Sequence, residues 1–96
     1  MNRPTPFIPV STLNVNPPVN WTAARTLAPE TGATKLLIQC FTQNIRYTLD
    51  GTNPTAAVGF QLKAGDAPRE INVASGVTIK VIEEAATAVV QFQWGR

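Results

Sequence analysis

From residue 35 onward, apolar and polar residues alternate with a period of two. In residues 35–41, Leu36, Ile38 and Cys40 fall on one face and Leu37, Gln39 and Phe41 on the other. In residues 44–49, Ile45, Tyr47 and Leu49 alternate with Arg46 and Thr48. The same rule sets Val77, Ile79 and Val81 on one side, and later Ala88, Val90, Phe92 and Trp94. A period of two is that of a strand with one buried face. Residues 60–63 and 70–74 read as short extended pieces, and residues 22–28 as a weaker strand candidate.

Turn signals separate these runs. Thr42, Gln43 and Asn44 form one, Ala64 to Pro68 another, Ser75-Gly76 a two-residue turn, and Ala85-Ala86 a break. The strongest is Asp50-Gly51-Thr52-Asn53-Pro54. There Gly51 can take a positive φ, Asp50 can accept from a backbone N–H two residues on, and Pro54 stops ladder pairing. Six or seven short strands with turns between them, and no long amphipathic helix, predict an all-β sandwich or barrel.

Residues 1–20 follow a different rule. Five of the eight prolines lie here: Pro4, Pro6, Pro9, Pro17 and Pro18. Proline fixes its own φ, removes a donor and biases the residue before it toward extended backbone, so helix is excluded. Phe7, Ile8, Val10, Leu13, Val15 and Val19 are too apolar for a solvated linker. Such an arm must lie on something, either its own domain or a neighbouring molecule. The chain therefore divides into an extended arm, 1–20, and a β-sandwich domain, 21–96.

Composition narrows the chemistry. The 96 residues carry eight Lys and Arg against six Asp and Glu, a net charge of +2, and only 15% are charged. The cations are scattered, with no two adjacent, which is a poor footprint for phosphate neutralisation and argues against nucleic acid. The first 48 residues hold Arg3, Arg25, Lys35 and Arg46 against Glu30 alone; either this asymmetry is chance, or a basic N-terminal part meets an acidic partner. No apolar run approaches the roughly 20 residues of a membrane span. No apolar run follows the N-terminal MNRPTP either, so secretion through a signal peptide is not expected.

Cys40 is the one cysteine and there is no histidine. This excludes an internal disulfide, a Cys–His pair, a Ser-His-Asp triad and a zinc site of Cys and His. On a strand, the adjacent acids Glu83 and Glu84 point to opposite faces and cannot share a substrate. No glycine-rich phosphate loop is present. No enzyme activity, cofactor or metal is expected. Low charge on the surface suits a subunit of an assembly better than a free monomer.

The run IRYTLDGTNPT, residues 45–55, contains Tyr47-Thr48, Asp50-Gly51-Thr52 and Pro54. It resembles the strand–turn motif Tyr-Thr-x-Asp-Gly-Ser/Thr-x-Pro of the immunoglobulin-like modules of chitobiase/hexosaminidase C-terminal type, which are structural appendages. Taken with Gly59-Phe60, Val81-Ile82-Glu83 and the closing Gln93-Trp94-Gly95, it is similar to a group of small tailed-bacteriophage virion proteins. The likeness covers about residues 34–96 and leaves the arm outside. It implies an immunoglobulin-like antiparallel β-sandwich on the outside of an icosahedral head or at its neck, with no catalytic residues to carry over. Asp50, Gly51, Thr52 and Pro54 are then turn-fixing residues.

The expected function is non-enzymatic: a capsid decoration or cement protein on the virion surface, made in the host cytoplasm and bound to the major capsid protein. A homo-oligomer such as a trimer around a capsid axis fits this role. The expected anchors are Phe7, Ile8, Val10, Leu13, Val15, Trp21 and Arg25, acting through strand addition by the arm. Two alternatives use the same chain: a neck or tail adaptor or fibre base, and a carbohydrate-binding module. The last needs exposed coplanar aromatics, whereas the alternation turns Tyr47 and Trp94 inward.

Overall fold

The structure is a computed structural model that describes residues 7–15, 21–73 and 77–96. Within these, eight strands form: β1 (Asn14–Val15), β2 (Arg25–Leu27), β3 (Lys35–Phe41), β4 (Ile45–Thr48), β5 (Phe60–Leu62), β6 (Arg69–Asn72), β7 (Ile79–Glu83) and β8 (Val89–Gly95). Seven match the runs read from the sequence, β3 at both ends and the others with edges moved by at most three residues. The eighth, β1, lies in the arm. Among the described residues there is no helix, and so none long and apolar enough to cross a membrane. The Ser75-Gly76 turn lies outside the described residues.

The strands make two antiparallel four-stranded sheets, ordered β1-β8-β3-β6 and β2-β7-β4-β5. The fold is thus a small all-β sandwich. Its two packed antiparallel sheets have their own strand order. The last strand, β8, pairs along its length with β3, from Lys35↔Gly95 to Phe41↔Val89. In an immunoglobulin constant domain the last strand lies instead beside the one before it.

The core lies between the sheets. Leu36, Ile38 and Cys40 of β3 and Val90, Phe92 and Trp94 of β8 meet Ile45 and Tyr47 of β4, Leu62 of β5 and Ile79 and Val81 of β7. Ala88 is buried and Val77 packs on the core from the flank, so these alternating runs bury the faces read from the sequence. Residues 45–49 depart from alternation at their end. Thr48 is buried and Leu49 only half-buried, because the chain turns there and the Thr48 hydroxyl donates to the Thr52 carbonyl. The Cys40 thiol donates to the Leu62 carbonyl at 3.3 Å, and burial pushes its pKa above the ordinary value. It behaves as a small core side chain.

Candidate functional site

The described part of the arm, residues 7–15, runs antiparallel along the outer edge of β8 in its own domain. Ile8 and Arg96 exchange backbone bonds of 2.9 Å in both directions, and Val10 N–H donates to the Trp94 carbonyl at 3.0 Å. Pro9 pairs with Gly95, and further along Asn14 pairs with Phe92 and Val15 with Gln91. Between these contacts the arm holds two more residues than β8, so it bulges. The bulge is bridged by side chains: Trp94 N–H donates to Ser11 Oγ at 3.2 Å, and Gln93 Nε2 donates to the Ser11 carbonyl at 2.9 Å. Leu13 is pushed outward and is 53% exposed. Edge pairing of this kind satisfies backbone groups that would otherwise form an open template.

The end of the arm seats against a bare glycine. A Cβ on Gly95 would overlap the Phe7 ring, so glycine at this position makes room for the aromatic. Phe7 is half-buried there and Val10 packs on the core, while Ile8 is 49% exposed. Arg25 on β2 lies over the Trp21 ring at 5.8 Å from the centroid. Trp21 itself is 1% exposed. The structure therefore places Trp21 in the core of the sandwich. Its carbonyl accepts from Glu83 N–H at 2.9 Å, which ties the start of the domain to β7. The side chain of Val15 lies outside the described residues.

Next to the arm, the outer face of the β1-β8-β3-β6 sheet is free of charge at its centre. Leu37 pairs with Gln93, Gln39 with Gln91, and Phe41 with Val89, each half-buried. Leu13, Pro68 and part of this set line a shallow cavity of ≈ 70 Å³. Charge is depleted and large apolar groups are kept at the centre of protein interfaces.

The Asp50 turn forms as read. Gly51 has φ +85°, and Asp50 Oδ1 accepts from Thr52 N–H at 3.0 Å. The Thr52 hydroxyl and N–H hold the Asp50 carboxyl below its ordinary pKa. Pro54 is buried, and Gly51 N–H donates to the Thr78 carbonyl at 3.2 Å. The turn flanks a second cleft, lined by Leu49, Val58, Gly59 and Phe60, with Phe60 61% exposed.

Three polar side chains that read as plain surface come together on the opposite sheet. Glu84 Oε2 accepts from Arg46 Nε at 2.6 Å and from Gln61 Nε2 at 2.7 Å, and Arg46 also donates to the Gly59 carbonyl at 3.0 Å. This ties β4, β5 and the β7–β8 turn. The only hint in the sequence was the adjacent acids. Glu83 turns inward, accepting from Ala88 N–H at 3.1 Å, and Glu84 outward. A second pair joins Lys35 to Glu70 at 3.8 Å. The excess of cations in the first half is thus partly neutralised within the chain. Among the described residues no three Cys, Asp or Glu side chains gather as a metal site.

The Gln61 amide, then the Arg46 guanidinium, hold the Glu84 carboxyl below its ordinary pKa against the opposing effect of desolvation. A carboxyl depressed by folding stabilises the native state above its unfolded pKa, and that stabilisation is lost as pH falls through the folded pKa. Stability is therefore expected to drop as pH is lowered below the ordinary value of 4.5. Glu84→Gln should flatten the drop, as read by urea midpoints at stepped pH. An unchanged slope would remove Glu84 as its source.

Neither tryptophan offers a ring to solvent, since Trp21 and Trp94 are 1% and 2% exposed. No family model matches the chain, and neither a curated protein nor a solved structure matches it.

Proposed function

We propose that this chain is a non-enzymatic virion structural protein, a capsid decoration or cement protein that binds the major capsid protein and stabilises a phage head. The observation that carries the reading is the uncharged strip where β3 and β8 pair on the outer face of the β1-β8-β3-β6 sheet, flanked by the Lys35–Glu70 pair on one side and by the half-exposed Ile8 and Leu13 of the arm on the other. Such a face has the composition of an interface centre and is a poor surface for a free monomer. The likeness of residues 34–96 to small tailed-phage virion proteins supplies the setting. A rigid two-sheet body suits a part that must sit in many copies without rearranging. The virion surface is then the place of action, and a homo-oligomer around a capsid axis the expected state.

A neck or tail adaptor would use the same face at lower copy number. The test is the copy number of this chain in purified particles, by quantitative mass spectrometry against the major shell protein. A number comparable to the shell protein is expected. A small fraction would replace head decoration by a neck or tail position. Absence from particles would overturn the virion reading.

A further inference from the structure

We propose that the outer edge of β8 is a strand-acceptor site that takes residues 7–15 of a second copy of this chain, so that copies held side by side exchange arms. The occupant is defined by the structure itself, because the same segment is seen seated on that edge. Its fit has three parts: the paired bonds of Ile8 with Arg96 and of Val10 with Trp94, the Phe7 ring over the bare Gly95, and the bulge bridged by Ser11. Each part is equally available to an arm from another chain, since an exchanged element makes the same contacts it makes at home.

The balance between the two arrangements is then set by concentration. A short tether gives the resident arm an effective concentration of about millimolar. Dilute chains keep their own arms. Chains packed in an array, or refolded together near that concentration, distribute arms among neighbours. The seating also favours exchange in a second way. The arm is held chiefly by backbone bonds, and it leaves Ile8 and Leu13 about half exposed. The inference goes beyond the virion reading and does not depend on it.

The test uses the register of the arm. Val15 faces Gln91, and opposed residues in a ladder lie within disulfide range. Val15→Cys and Gln91→Cys are prepared as separate chains of different tag length, mixed, unfolded, refolded together at about 1 mM and oxidised. Cys40 is fully buried and stays out of the reaction. A third chain, Thr31→Cys, carries its thiol on an exposed turn and reports random collision. The mixed disulfide of Val15→Cys with Gln91→Cys is expected on the order of tenfold above that of Val15→Cys with Thr31→Cys, and to fall on refolding at micromolar concentration.

The double variant Val15→Cys/Gln91→Cys should close within one chain when refolded dilute, which checks that the substituted arm still seats. Closure within one chain together with mixed products at the Thr31 level would overturn exchange. Failure of the double variant to close at any concentration would overturn the acceptor edge as well. Neither result alters the copy number in particles, so the virion reading fails or stands separately.

Discussion

Replacing Trp94 by alanine is expected to cost about 3–5 kcal/mol of folding stability, the range for truncating a large aromatic in a packed core. The side chain is 2% exposed, belongs to the core between the sheets near the end of β8, and meets Phe92 edge-on at 6.3 Å between ring centroids. Its backbone pairs with Leu36 on one side and accepts from Val10 on the other. A chain of this length has about 5–15 kcal/mol of total stability, so one such truncation removes a large share of it. Urea unfolding followed by Trp21 fluorescence should show a much lower midpoint with a similar slope. The result also bears on function. A tryptophan serving as a sugar platform stands in solvent, and its loss would change stability by less than about 0.5 kcal/mol. A midpoint within that margin would overturn the core assignment and restore the carbohydrate-binding alternative.

That the core was legible in the sequence follows from how it is built. Each long strand lies between two neighbours and buries one face, so its alternation is clean. Leu36, Ile38 and Cys40, or Val90, Phe92 and Trp94, were marked by period alone. The Asp50-Gly51-Thr52 turn was legible for a different reason. Its chemistry is local, with a carboxylate and the N–H two residues on, and a glycine at φ +85°. What could not be read depended on partners distant in sequence. Arg46, Gln61 and Glu84 are each ordinary outward residues, and they become a cluster only because β4 pairs with both β5 and β7. β1 is two residues long and carries no alternation of its own; it exists because β8 has an edge to cover. The burial of Trp21 is not legible locally, because the residue stands where the Pro-rich composition ends. Its burial is decided by β7 and the rest of the core, which nothing local announces. Thr42, at φ 73°, is a branched residue in a conformation that sequence rules assign to glycine or asparagine.

Gly59→Ala is expected to be the most damaging change to the edge of the second sheet, costing about 3 kcal/mol or more. Gly59 has φ +124°, outside the region open to residues with a Cβ. Space is also lacking. An added Cβ would stand 3.0 Å from the Tyr47 carbonyl oxygen, 3.3 Å from its nitrogen and 3.2 Å from Arg46 Cβ. The first two are backbone atoms of β4, which cannot swing aside as the tip of a side chain can. To admit the methyl group, β5 must move away from β4. That strains the Tyr47↔Phe60 pairing and the bond from Arg46 to the Gly59 carbonyl. The effect would then spread to Glu84, whose two donors sit on β4 and β5. Gly32 and Gly65 supply the control. They have φ of +84° and +83°, with nothing within 4 Å of an added Cβ. Alanine there should cost only the backbone preference, about 1–2 kcal/mol. Urea midpoints of the three variants separate the two contributions. If Gly59→Ala falls no further than Gly65→Ala, the close approach of β5 to β4 does not constrain this edge.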